Sequence, residues 1–487
     1  MNRRLVTGLL AALTLVTGVA PISLAEGGVD SPRMSLRATS DTAFVFRYGK
    51  RKPRLYLPLF LEVRDAPLDL RIRRPEYTDP MTLTQVLHSP SGNESRALPA
   101  ELLDGWKGLK DFLNIEIRDR AGRVVLDTTT RFCPNGYERQ RLDDTGPQVP
   151  TYPYDCSGRG PGSVFLKGMV WGIDEGWAVR VSNERGTKLD LEPGRYVATV
   201  GVNPAYQEIF GLDPQLSVVE FKMRVPKPRE GFCCPGLMKA QEEPSQSLGA
   251  PTTGVPTMTD PDPALLPDLR MMPAFSIGMR NGKNGVSRMS FASMVWVAGG
   301  SSVVVEGFRR PSEDVMDAYQ YFYSGGQVIG RAPVGTFEYD RRDGHFHWHI
   351  QQFAAYRVVD AESNELVRSS KQSFCLAPTD PVDLSIDGAA WDVWSTGLGT
   401  ACGGPDALWI REVLPLGWGD TYYQARGQAF NVTDLPNGRY YVEMEANPLG
   451  LLMEQDATNN AVRREIVLKG KPGKRHVKVL PWNGIEV

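Results

Sequence analysis

The chain has 487 residues, enough for two or three domains each with its own core. Its 55 Lys and Arg against 57 Asp and Glu leave a formal charge of −2, which excludes the basic footprint of a nucleic-acid-binding protein.

At the N-terminus, Arg3 and Arg4 precede an apolar stretch from Leu5 to about Val19, and Ser23-Leu24-Ala25 supplies a small-x-small site. This is the layout of a secretory signal over residues 1–25. No second apolar segment approaches the roughly 20 residues needed to span a bilayer, so no membrane span is expected and the mature protein reads as secreted, extracellular and soluble. In that setting the six cysteines read as disulfides rather than thiol ligands.

The remainder repeats itself. Gly49-Lys50 and Arg73-Arg74-Pro75 recur as Gly282-Lys283 and Arg309-Arg310-Pro311, and Phe112–Asp119 recurs as Phe353–Asp360. Phe132-Cys133 matches Phe374-Cys375, Cys156 matches Cys402, Gly194-Arg195-Tyr196 matches Gly438-Arg439-Tyr440, and Asn203-Pro204 matches Asn447-Pro448. Order is kept and spacing drifts little, so two copies of one domain are expected, at 33–228 and 265–470. Matching positions pair Cys133 with Cys156 and Cys375 with Cys402, one disulfide per copy. Between the copies, 229–264 is rich in Pro, Ser, Thr and Gly and reads as an exposed linker. It carries Cys233 and Cys234, whose pairing stays open. A lysine-rich tail, 471–487, reads as a solvated end.

Within each copy the local pattern is of short β-branched and aromatic runs bounded by Gly, Pro, Asn or Asp. Examples are Tyr196–Val202, Ser302–Glu306 and Arg439–Glu445. Long helical periods are missing. The expected fold is all-β with minor irregular or helical segments, arranged as two tandem antiparallel β-sandwiches.

Three of the five histidines form the run His345-Phe-His347-Trp-His349. In an extended strand these imidazoles share one face, with Phe346 and Trp348 on the other. Three imidazoles leave coordination positions open, which is the pattern of a catalytic transition-metal site. The plain alternative is a trio of surface histidines on an edge strand.

The second copy resembles the lysyl oxidase catalytic domain, a family of copper amine oxidases. The resemblance is carried by His345-x-His347-x-His349, Lys371-Gln-Ser-Phe-Cys-Leu376, Asp420-Thr421-Tyr422, Pro436-Asn-Gly-Arg-Tyr440 and Glu454-x-Asp456-x-x-Asn459-Asn460. It implies copper on the three histidines and a lysyl-tyrosyl quinone cofactor made from Lys371 and Tyr422. The implied activity is oxidative deamination of a primary amine, or of lysine in protein, to an aldehyde, with oxygen as acceptor and hydrogen peroxide and ammonia released. It also implies calcium at Asp268, Leu269, Glu454, Asp456, Asn459 and Asn460, oxygen donors of the kind a hard cation takes. Vertebrate members have an aspartate shortly after the third histidine; here the stretch reads Ile350-Gln351-Gln352-Phe353, so the general base is unassigned.

Aligned on the repeat, the histidine positions of the first copy fall on Asp104, Trp106 and Gly108, the lysine on Thr129 and the tyrosine on Ala178. The calcium-loop positions fall on Phe210, Leu212, Gln215 and Leu216. The first copy is therefore expected to be degenerate and non-catalytic. Two rivals are set against the amine oxidase. A cupin metalloenzyme would want a glutamate near the His-x-His pair, where this chain has Gln351 and Gln352. The other is a non-enzymatic extracellular copper-binding or adhesion protein.

Overall fold

The computed structural model describes residues 31–47, 51–89, 91–158, 160–182, 186–227, 252–341, 346–391, 393, 400, 402–423 and 427–486. The expected leader, the Cys233-Cys234 pair, residues 229–251 of the expected linker, and His345 lie outside them.

The described chain is all-β, and its strands alternate as a half-buried sheet requires. In Val218–Val225, for example, Phe221, Met223 and Val225 are buried while Glu220, Lys222 and Arg224 face water. Among the described residues the α-helix is confined to Pro204–Phe210, capped by the Asn203 side chain.

The strands form six sheets, three from residues 33–225 and three from 267–479, and four neighbouring strands of each sheet in one set follow the same order as four in the other. The sequence 124–132, 109–118, 194–202, 218–225 across one sheet recurs as 365–368, 354–359, 438–446, 461–471. A second, 33–38, 59–64, 177–180, 139–141, recurs as 267–271, 287–300, 418–423, 380–381. The third, 168–173, 68–73, 82–87, 94–98, recurs as 409–414, 303–308, 315–324, 327–340. There the second half adds one more strand, His347–Ile350, along Gln327–Asp340.

Matched residues do matched work. Arg74 directs its guanidinium to the carbonyls of Leu166, Tyr77 and Val164, and Arg309 directs its own to those of Ala407, Glu313 and Pro405. The structural equivalent of Arg309 is thus Arg74, one residue along from the sequence alignment. The Tyr196 hydroxyl donates to the Glu192 carbonyl and that of Tyr440 to Pro436. The N–H of Asn203 donates to Phe112, that of Asn447 to Phe353. Cys133–Cys156 and Cys375–Cys402 are disulfides, with Cα separations of 5.8 and 5.9 Å.

The halves are not joined by the linker alone. Lys167 N–H donates to Val382, Leu384 N–H donates to Gly168, and Gly168 bridges Asp383 in parallel register. A buried apolar cluster straddles the junction: Phe165, Tyr77 and Val164 from the first half meet Met272, Phe275, Ala292, Met294, Trp296 and Val382 from the second. Two expectations change here. The tail is no loose end, because Lys474–Val479 pairs with Ala461–Lys471, and Trp482 and Ile485 then enter the straddling cluster. Trp482 lies 5.5 Å from Tyr77. The end of the expected linker is likewise held: Thr252 donates through its N–H and its hydroxyl to Glu306, which is fully buried against Arg411 and Trp409. Composition concealed both, since isolated apolar residues in a polar run show no period.

Candidate metal and cofactor site

The strand His347–Ile350 begins abruptly. Phe346, just before it, has φ 44°, the left-handed region that side chains with a Cβ avoid, and is exposed. The alternation expected through Phe346 therefore starts only at His347. From there it holds: the rings of His347 and His349 lie 4.7 Å apart, while Trp348 is buried on the other side, donating its indole N–H to Gly404 beneath the Arg309 guanidinium. His349 is 1% exposed, so the surface-trio alternative does not describe it. Its Nδ1 faces the Asp340 carboxylate at 3.4 Å, the support that fixes a ligating imidazole with Nε2 forward. Two buried or half-buried imidazoles with a carboxylate behind one of them fit a transition metal by donor chemistry.

The next residue, Ile350, bridges Phe374 in both directions, so the histidine strand lies against the segment that carries Lys371. Lys371 is 1% exposed, and its Nζ sits 4.9 Å from the centre of the Tyr422 ring and 4.9 Å from that of Phe374. Tyr422 stands edge-on to Phe374 with ring centres 4.6 Å apart. Its hydroxyl accepts from the Cys375 N–H at 2.9 Å and donates to the Cys375 carbonyl at 2.8 Å. The proposed cofactor pair is thus brought together from an irregular segment and the strand Trp418–Tyr423, otherwise far apart in sequence.

Two acids that the sequence did not single out as a base complete the surroundings. Glu412 is fully buried, accepts from Leu376 N–H, and is pushed well above the usual carboxylate range by burial and by the Asp420 charge, with Lys371 acting the other way. Asp420 is also pushed well up by burial, against a hydrogen bond from Ala377 and the pull of Lys371. The Tyr422 phenol is raised by burial first, then by Asp420 and Glu412. Glu412 Oε1 and Asp420 Oδ2 are buried without a hydrogen-bond partner among the described residues. Asp420 belonged to a quoted motif, but Glu412 sits in Trp409–Leu414, which reads as an ordinary strand.

The calcium residues also converge. Asn459 donates to Asp268 at 2.9 Å and to Asp456 at 3.1 Å, Asn460 donates to Glu454 at 2.7 Å, and the Leu269 N–H meets Glu454. Arg270 also pairs with Asp268 at 2.8 Å. Burial raises Glu454. Three acceptors, Glu454 Oε2, Asn459 Oδ1 and Asn460 Oδ1, are buried without a partner among the described residues. Orphaned oxygens on converging side chains are what a hard cation satisfies, so the residues fit one.

In the first half the equivalent interior is apolar. Leu109 pairs with Phe132 as Ile350 does with Phe374, which places Gly108, Trp106 and Thr129 at the positions of His349, His347 and Lys371. Strand register puts Trp171 at Glu412, Val179 at Asp420 and Val181 at Tyr422. The tyrosine equivalent is thus Val181 rather than Ala178. Trp171, Val179 and Val181 are all buried.

No family model matches the chain, and no curated protein does. Among solved structures it aligns with one described as "Crystal structure of tetra-tandem repeat in extending region of large adhesion protein", at 9% identity over 93% of this chain and 99% of that one. The TM-score is 0.09, a likeness that carries no argument for fold or function.

Proposed function

We propose that the protein is an exported amine oxidase that takes copper on His345, His347 and His349 and builds a quinone from Lys371 and Tyr422. The observation that carries this reading is the buried Lys371 amine 4.9 Å from the Tyr422 ring, walled by Phe374 and two buried carboxyl groups. Copper with such a quinone supplies the oxidation of a primary amine, free or on a protein lysine, to an aldehyde at the expense of oxygen. The chain's own residues set the stage for it. The paired hydrogen bonds from Tyr422 to the Cys375 peptide fix the ring, and Phe374 keeps water from its flank. Asp340 orients His349. Asp420 and Glu412 are the carboxyl groups beside the pair that can receive or return a proton, which fills the role the sequence left open. A calcium ion on Asp268, Leu269, Glu454, Asp456, Asn459 and Asn460 would tie strand Pro267–Met271 to the loop before Ala461–Lys471. The two disulfides suit an oxidising compartment.

Purified, copper-loaded protein should react with phenylhydrazine and yield Lys371 and Tyr422 in one cross-linked peptide. Tyr422→Phe should keep its copper and lose all amine oxidation. Activity retained in that variant, or two separate peptides in an active wild type, would sink the quinone reading.

A further inference from the structure

The sequence Gly158-Arg-Gly-Pro-Gly162 belongs to the first half, yet the space Gly160 and Gly162 leave is filled by the second. A Cβ on Gly158 would meet Ser163 Cβ of its own half at 2.9 Å and then the Pro381 ring at 3.2 Å. One on Gly160 would collide with the Asp380 carboxyl group, and one on Gly162 would lie 2.5 Å from Thr421 Oγ1, 2.9 Å from Asp380 Oδ2 and 2.9 Å from Met294 Sδ. Such distances cannot be met by real side chains without displacement of the neighbours. The turn Pro161–Phe165 that follows plugs Phe165 into the straddling cluster, 5.1 Å from Phe275.

What Gly160 and Gly162 press upon are Asp380 and Thr421, the latter in the strand that carries Tyr422. Asp380–Pro381 is the short outer neighbour of Trp418–Tyr423, pairing at Gly419 and Trp418. Thr379 holds the same strand through its hydroxyl, which accepts from Thr421 N–H at 2.7 Å. Asp380 is fully buried, and burial raises it, while the Thr379 hydroxyl donates to its Oδ2 at 3.3 Å and the neighbouring Thr421, Gly162 and Gly160 pull the other way. With only two residues of Asp380–Pro381 on its outer side, the strand bearing Asp420 and Tyr422 is closed there by the first half.

We propose that Gly160 and Gly162 form a positioning clamp: the first half, itself without the chemical groups, holds Asp380 and Thr421 in place and thereby holds Tyr422 in register with Lys371. The inference rests on the reading of Tyr422 and Lys371 as cofactor precursors, and the test separates the two. In the full-length chain, Gly162→Val should raise amide hydrogen exchange across Trp418–Tyr423 at least tenfold, with Gly438–Ala446 unchanged, and should lower the yield of the Lys371–Tyr422 cross-link several-fold. Trp482→Ala loosens the same junction without touching Asp380, and should lower the melting temperature while leaving both readouts as in wild type. If Gly162→Val fails to accumulate, Asp380→Asn, which keeps the shape and removes an acceptor, should reproduce its exchange pattern. Wild-type protection in the clamp variants, or an equal loss in Trp482→Ala, would overturn the clamp. A wild type that never forms the cross-link would overturn the amine-oxidase reading instead, and the exchange comparison would then decide the clamp by itself.

Discussion

Glu412 and Asp420 set a pH signature that follows from their burial. Each holds its proton in the folded chain at pH values where the unfolded chain, near its ordinary 4.5 or 3.8, has released it. The folded state therefore binds more protons, and stability falls as pH rises from that ordinary value toward the raised one. Glu412→Gln keeps an acceptor for Leu376 N–H and removes the titration, so urea midpoints measured from pH 4.5 to 7.5 should fall less steeply in that variant than in wild type. Tyr422→Phe deletes both bonds to the Cys375 peptide and should cost about 1–3 kcal/mol besides the activity. Lys371 and Tyr422 were legible because each sits in a motif whose order is shared with the histidines. Glu412 was not, because in Trp-Ile-Arg-Glu-Val-Leu a charged pair reads as one residue in and one out, whereas here both Arg411 and Glu412 are buried, on opposite faces.

At the level of elements, the loop before Ala461–Lys471 offers three unsatisfied oxygens, so calcium should raise the melting temperature. The gain should be about 2.7 kcal/mol at a hundredfold excess over the dissociation constant, and Asn460→Ala should abolish it in a calcium titration followed by calorimetry. The Glu306 carboxylate is a second test. Glu306→Ala removes the buried carboxylate that the Arg411 guanidinium, the Trp409 indole and Thr252 share, and should cost about 3–5 kcal/mol and open residues 252–258 to protease. Strand order was readable from paired landmarks such as Tyr196 with Tyr440, whose hydroxyls each bond the carbonyl four residues back. The start of the histidine strand was not, since a period of two predicts extension through Phe346 and cannot register a reversal of φ at one residue.

Across the whole molecule, the straddling cluster means that neither half presents a finished surface alone. A chain of residues 252–487 would expose Met272, Phe275, Met294 and Trp296, and should associate or precipitate where the full-length protein stays monodisperse in light scattering. Sequence comparison of the halves revealed the duplication but not this junction, because the residues that form it are unmatched between the copies: Gly160 and Gly162 have their meaning only against Asp380 and Thr421. The strand His347–Ile350 sits at the rim of its sheet; among the described residues no strand lies beside Glu94–Leu98 in its place, and the four strands of that sheet keep the order of their counterparts. The plan that the halves hold in common does not depend on the strand that carries His347 and His349. A survey keyed to His-x-His-x-His would find one half of such a chain and pass over the other. The paired forks of Arg74 and Arg309 mark both, so common descent in proteins of this kind is better traced through their carbonyl-bound arginines than through their chemistry.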